Sequence, residues 1–297
     1  MAVNLFSLNG VALKQIVHRT WTEIRADDVL GRAAQLAYYF FLALFPFLIC
    51  VIASLSVFGF ADRGRMLLLF LLARFVPAPA VQLIGATIDQ VIQASGPLKM
   101  SFGIVASLWS ASMGMGAIMS TLNAAYKVPE TRSLFRQYLV AIELTAGIAV
   151  LLITSVLIAV FGDDVIAALA SGNFVFAVWK IAKWPLGLVL LALAFEITYY
   201  FAPDLSEPDW HWITPGTLAG IFLLIAVSIG SRIYLRYSSS YGAAYGSLGA
   251  VIVLLLWFYL SGIALLAGGV LNAVLQDPVA ANIPAPSSPA ATPNILS

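Results

Sequence analysis

Residues 246–274 read GSLGAVIVLLLWFYLSGIALLAGGVLNAV, without one charged side chain. A helix needs about 20 mostly apolar residues to cross the roughly 30 Å of bilayer hydrocarbon, and this run is longer than that. Working outward from it, the same rule finds further apolar runs at 34–60, 101–125, 138–161, 184–202 and 213–235, each bounded by charge, Trp or Pro. The expected fold is all-α: a polytopic membrane protein with six transmembrane helices plus amphipathic surface helices. Composition points the same way. The 297 residues are 61% hydrophobic and 10% charged, with a mean hydropathy of +0.96, where a soluble domain carries about 25% charged residues. With 15 Lys+Arg against 14 Asp+Glu, the net charge of +1 gives no field that would recruit nucleic acid. The single cysteine, Cys50, forms no intrachain disulfide and lies within an apolar run.

The flanks complete the organisation. Residues 1–33 are polar, so the first span is expected as an uncleaved anchor behind a cytoplasmic amphipathic segment. In that segment Leu13, Val17, Trp21 and Ile24 form one helical stripe opposite Lys14, His18, Thr22 and Arg25. Such a stripe suits a helix lying on a membrane surface, or one packed on the rest of the protein. Residues 34–275 form the transmembrane domain. Its first connection holds a short apolar run at 66–76, broken by Arg74 and stopped by Pro77 and Pro79. A second stripe of Val81, Ile84, Ile88, Val91 and Ile92 follows. Both read as surface helices, too short to cross. The Pro-rich tail, 276–297, is expected to be disordered. Four positives (Lys14, Arg19, Arg25, Arg32) precede the first span and three (Lys127, Arg132, Arg136) crowd the 126–137 connection. Both termini are therefore expected in the cytoplasm. Trp179, Trp184, Trp210 and Trp212 are expected at helix ends as interfacial anchors.

Chemistry is sparse. The only histidines, His18 and His211, lie on different segments, and no Cys-x-x-Cys, His-x-x-x-His or Gly-rich phosphate loop occurs. Asp27 and Asp28 are neighbours whose side chains diverge by about 100° on a helix, which fits a helix boundary better than a metal pair. No catalytic residue, metal or cofactor is expected, and no basic stripe interleaved with aromatics points to nucleic acid.

Glu143 and Glu196 lie within spans, where an ionisable group is a functional candidate by default. Trp109, Ser112, Gly116, Ser120 and Asn123 share one face of the second span; Trp257, Ser261, Leu265, Gly268 and Asn272 share one face of the sixth. Either face serves helix packing or lines a cavity. Gln35, Tyr38, Tyr39 and Leu42 add a polar-aromatic patch, and Pro46 should kink the first span by removing the bond to the Leu42 carbonyl. The second and sixth spans also share a weak internal similarity: Ser-x-Gly, then Trp, then Leu-Asn-Ala, although their Gly-to-Trp spacings differ.

Four blocks resemble the YihY/virulence factor BrkB family, once catalogued as ribonuclease BN. They are Asp28 with Ala33-Ala34-Gln35-Leu36-Ala37-Tyr38-Tyr39 and Leu44-Phe45-Pro46; Trp109-Ser110-Ala111-Ser112 with Leu122-Asn123-Ala124-Ala125-Tyr126; Trp210-x-Trp212-x-x-Pro215-Gly216; and Tyr245 to Ala250 through Trp257 to Leu271-Asn272-Ala273. The resemblance implies a six-span inner-membrane protein with both ends cytoplasmic. Where relatives carry an acid just before Leu-Asn-Ala, this chain has Val270, so no ion-coupled mechanism is carried over.

The expected function is transporter-like or flippase-like handling of a lipid or amphiphile in envelope maintenance. The cavity would lie between the second-span and sixth-span faces with Tyr38, Tyr39 and Glu196. The alternative is a non-transporting envelope scaffold; a nuclease finds no acid-base or metal set here. The bilayer is the partner that composition demands. Gly242-x-x-x-Gly246 offers either a contact for a homo-oligomer or a turn at a helix start.

Overall fold

The computed structural model describes residues 13–57, 62, 65–66, 69–70, 72–73, 78–93, 97–169, 173–206, 210–237 and 240–276. Among these the regular structure is helical. The helices are α1 (Leu13–Ala26), α2 (Val29–Val57), α3 (Ala78–Gln93), α4 (Pro97–Ala125), α5 (Leu134–Leu169), α6 (Asn173–Phe201), α7 (Pro215–Tyr237) and α8 (Ser240–Gln276). Four segments are long and apolar enough to cross a membrane: Leu134–Ser155, Phe174–Phe201, Pro215–Tyr234 and Gly249–Gln276. The described part of α2 adds a shorter apolar helix, Val29–Leu44.

The six long helices form a closed circuit of neighbours, α2 against α4, α4 against α5, then α6, α7, α8 and back to α2, with a further contact between α4 and α8. The core is apolar and lies toward the end where α2 begins and α8 finishes. Leu36, Met119, Leu122, Leu266 and Val270 are fully buried there. Val270 thus belongs to the buried apolar cluster.

Small residues bring α7 and α8 together. A Cβ on Gly216 would strike the Gly268 carbonyl oxygen, and one on Gly268 would strike the Gly216 carbonyl oxygen and the Tyr199 hydroxyl. One turn along, Gly220 faces the Ala264 carbonyl and the Phe195 ring. Backbones approach this closely only where no side chain intervenes.

Asp28 sits in the left-handed region (φ 48°) between α1 and α2 and caps α2, its Oδ1 accepting from Gly31 N at 3.3 Å. The stripe on α1 is split between two surroundings. Ile16 and Ile24 are buried toward the protein, while Val17 and Trp21 face outward, the Trp21 ring lying under the Arg25 guanidinium at 4.9 Å. The second stripe is packed through Ala80, Ile84 and Ile88 against Leu254 of α8; Val91 and Ile92 have side chains outside the described residues. Asp89, on the polar face of α3, makes a two-pronged ion pair with Arg65, Nη2 to Oδ2 at 2.7 Å. That guanidinium holds the Asp89 carboxyl below its ordinary range.

α6 corrects one boundary. It begins at Asn173, so Trp179 and Trp184 lie inside a helix and not at its end. The apolar run is interrupted by Lys180, Lys183 and Pro185, yet helix continues because those charges are engaged. Lys183 Nζ and Trp179 Nε1 both donate to Asp163 of α5, at 3.1 and 2.9 Å, and Lys180 lies over the Phe176 ring. Gly162 leaves the room that the Trp179 ring needs. Pro185 removes only the bond to the carbonyl of Ile181, itself exposed. Gly242 and Gly246 fall inside the first turns of α8. Pro46 lies within α2, its side chain outside the described residues.

Candidate functional site

Thr214 is the residue before α7, and Pro215 occupies the first helical position, where a missing N–H costs nothing. The helix start is buried, so each remaining donor needs a partner. The Thr214 N–H and hydroxyl both donate to Glu196 Oε1 of α6, the hydroxyl at 2.9 Å. Gly216 N donates to Asn272 Oδ1 of α8 at 2.8 Å, Thr217 N to the Thr214 hydroxyl at 3.3 Å, and Leu218 N to the Thr214 carbonyl. Asn272 Nδ2 donates back to the Thr214 hydroxyl at 2.8 Å. Glu196 and Asn272, 3% and 1% exposed, are consumed in capping α7. A carboxylate at this position is also favoured by the positive end of the helix dipole. Beside it, Tyr199 donates to the Leu265 carbonyl at 2.6 Å.

Asn123 does the same work on the neighbouring connection. Its Oδ1 accepts from Asp204 N at 2.7 Å and its Nδ2 donates to Glu130 Oε2 at 2.8 Å. Arg132 forks onto Glu130, Nε to Oε1 at 2.6 Å and Nη2 to Oε2 at 3.0 Å, and reaches the Ala202 carbonyl at 2.9 Å. Asp204 Oδ2 accepts from Thr131 N at 2.7 Å and from its hydroxyl at 2.5 Å. The bonds from Arg132 and Thr131 hold the Glu130 and Asp204 carboxyls below their ordinary range. The two Leu-Asn-Ala asparagines thus clamp the α6–α7 connection at both ends. Lys127, in the left-handed region (φ 56°), ties α1 to this end through Glu23 at 3.0 Å.

A second polar face is arranged differently. α2 and α4 are antiparallel, with Arg32 beside Ser120 and Tyr39 beside Gly114. On their outer side Gln35, Tyr38, Leu42, Trp109, Met113 and Ser120 are exposed, Tyr38 to 57% and Trp109 to 60%. Gly116 cuts a notch into this face, for nothing lies within 4 Å of the Cβ that it lacks. At its end Arg32 is held by Nε to the Asp27 carbonyl (3.0 Å) and by Nη1 to the Ser120 hydroxyl (2.8 Å).

The residues singled out from sequence therefore divide. Asn123, Glu196 and Asn272 belong to the clamped connection, while Tyr38 and Trp109 belong to the open face with Tyr39 half-buried at its edge. Ser112 and Ser261 bond their own helices, to the Trp109 and Trp257 carbonyls at 2.8 and 2.7 Å. Trp257 donates to Ser228 of α7 at 3.3 Å. Glu143 is exposed on α5, away from both sets of bonds. α4 and α8 meet through Leu122 and Gly269. Arg32, Thr214 and the Glu130–Arg132–Asp204 group were not singled out. Pro215-Gly216 after a threonine was the available signal for a capped helix start.

Among the described residues, no group of three or more His, Cys, Asp or Glu side chains converges as a metal site. The class is an integral membrane protein, helical throughout its described regular structure, in which Glu196 and Asn272 serve a helix end while Tyr38 and Trp109 stand on an open face. The chain belongs to the Virulence factor BrkB family, whose model matches residues 20–292. It is 35% identical over 251 residues to a Bacillus subtilis protein named as ribonuclease-like, YfkH, covering 83% of this chain and 90% of that one. A UPF0761 membrane protein of Xanthomonas campestris is 27% identical over 271 residues, 89% of this chain and 62% of its own length. Another from Xanthomonas oryzae is 26% identical over 84% of this chain and 57% of its own. The chain thus spans about three-fifths of these Xanthomonas relatives. No solved structure matches.

Proposed function

We propose that this chain is a transporter-like or flippase-like handler of a lipid or other amphiphile in a bacterial inner membrane, with six spans and both termini cytoplasmic. The observation that carries the reading is the open α2–α4 face, where Gln35, Tyr38, Trp109 and Ser120 stand exposed around the Gly116 notch. Lipid tails offer these groups no hydrogen bonds. A polar head moving along the face would supply them, while its tails stay in the surrounding hydrocarbon.

The test is transbilayer movement of a fluorescent phospholipid in vesicles holding the purified full-length protein. Gly116→Leu fills the notch from a Cβ that meets nothing within 4 Å and should slow movement at least about tenfold, with Trp109→Ala acting in the same direction. Movement no faster than in protein-free vesicles, or equal rates in both variants and the parent, would overturn the proposal. A scaffold role draws support from the outward Val17 and Trp21 of α1. It predicts instead that changes on α1, and not at Gly116, abolish the phenotype of a complemented deletion strain.

A further inference from the structure

Arginine has five N–H donors in a rigid fork and is always charged, so a guanidinium near apolar surroundings is normally paired with a carboxylate or phosphate. Arg32 is not so paired. Its bonds go to two neutral oxygens, the Asp27 carbonyl and the Ser120 hydroxyl, from Nε and Nη1. No described carboxylate lies within ion-pair distance of it. Of the acids beside it, Asp28 Oδ1 caps α2 through Gly31 N, and the Asp27 carboxylate, which feels the Arg32 charge without forming an ion pair with it, has one oxygen buried without a partner. The two bonds fix the plane of the guanidinium and leave Nη2 unbonded.

Position gives that free edge a meaning. Arg32 lies in the first turn of α2, and Tyr38 stands six residues further along, about 9 Å deeper at 1.5 Å per residue. Below the arginine the open face continues through Gln35, Tyr38 and Leu42 on α2 and Met113 and Trp109 on α4. A cation at head-group depth, then an amide and a phenol, then apolar and aromatic surface: that order matches the order of chemistry along a phospholipid.

We infer that Arg32, aligned by the Asp27 carbonyl and the Ser120 hydroxyl, receives the phosphate of an anionic phospholipid whose acyl chain lies along the α2–α4 face. The assignment rests on the reading above, since it names the head group that this face takes, but it concerns binding and is tested without transport. Charge complementarity selects the occupant. A zwitterionic lipid brings its own cation to the site, whereas phosphatidylglycerol brings net negative charge to an arginine whose hydrogen bonds go to neutral oxygens.

The test uses full-length protein in phosphatidylcholine nanodiscs, doped with phosphatidylglycerol or phosphatidylcholine carrying brominated chains that quench nearby indoles. The difference between the parent and Trp109→Phe isolates the Trp109 signal. Brominated phosphatidylglycerol should occupy the face about tenfold more readily than brominated phosphatidylcholine, the scale of one charge-assisted hydrogen bond. Arg32→Gln should erase that preference. Arg32→Lys should keep part of it, because a lysine retains the charge and loses the fork. Ser120→Ala, which leaves the charge in place and removes the alignment, should weaken it about threefold.

Equal preference in the parent and Arg32→Gln, with both equally resistant to heating, overturns the inference. Should Arg32→Gln fail to fold, an unchanged preference in both Arg32→Lys and Ser120→Ala does so. Displacement of the brominated lipid by free glycerol phosphate alone would make a soluble phosphate the occupant, and quenching of Trp109 lost on dimerisation would make it a second copy; either overturns the assignment. If binding behaves as stated and transbilayer movement is absent, the transport reading falls and the binding inference stands.

Discussion

Glu196 and Arg32 are both ionisable, both at the end of the bundle where α1 lies, and differently employed. Glu196 is buried and its bonds are spent on the start of α7, with Asn272 completing the set. Arg32 is held in place by neutral oxygens and keeps donors to spare on a face that no other described helix covers. The difference teaches how to read polar groups at depth in this chain. One set replaces the water that a buried helix start lacks, and the other remains available to something outside the protein. A polar residue in a span is evidence of function only after the backbone donors around it have been counted.

The comparison breaks most visibly at Glu196. Glu196→Ala leaves the Thr214 N–H and hydroxyl without their acceptor and should cost about 3 kcal/mol of stability, from the 1–3 kcal/mol typical of a buried group losing its partner. Glu196→Gln keeps an acceptor oxygen and should cost under about 1 kcal/mol. Heat inactivation of the purified protein measures both. A large loss of lipid movement in a stable Glu196→Gln would give this residue a role beyond capping and sharpen the contrast in the opposite direction.

Glycines give the next effect. Gly216→Ala drives a methyl into the Gly268 carbonyl and should destabilise by about 2 kcal/mol, within the usual range for overpacking. Gly116→Ala meets open space and should stabilise by roughly 0.5 kcal/mol, through helix propensity alone. Opposite signs in the same unfolding assay are the expected outcome; equal signs would erase the distinction between a covered and an open face.

Acid should act on the clamp. In Glu130 and Asp204 the folded-state carboxyl pKa lies below the unfolded value, so their contribution is complete above the ordinary carboxylate range and is lost as pH falls through the folded values. Amide exchange at Thr131, whose N–H donates to Asp204, should lose protection beyond the intrinsic pH trend only below about pH 4. The smallest effect is expected at Asp27, whose carboxyl burial pushes up, with Glu23 nearby adding to the shift. A raised folded value makes stability fall as pH rises through the carboxylate range, so Asp27→Asn should stabilise at pH 7 by a few tenths of a kcal/mol, comparable to a weak surface pair.

Much of this architecture could be read from residue order. The charge-free run at 246–274 lies wholly within α8, and the stripe through Ile84 and Ile88 is the buried side of α3. Leu-Asn-Ala occurs twice in the sequence, and both asparagines clamp the same connection. What stayed hidden depends on partners far away along the chain. Thr214 gains its meaning from Glu196 and Asn272 together, and Arg32 from Ser120 on another helix. The start of α6 was misplaced because a lysine in an apolar run reads as a boundary until its partner on the neighbouring helix, Asp163, is known. Trp109 and Gly116 followed the right periodicity, but periodicity does not say whether a face meets a helix or lies open.

The approach of Gly216 to Gly268 has one more consequence, for how sequences of this kind diverge. Each glycine is obstructed by the other's backbone, which no substitution removes, so a change at one position has no compensating change at the other. Positions that cannot vary cannot covary. The tightest contact between α7 and α8 should therefore leave no trace in correlated substitutions among descendants of this fold, while looser neighbours such as Trp257 and Ser228, joined by side chains that can be exchanged as a pair, are free to record theirs.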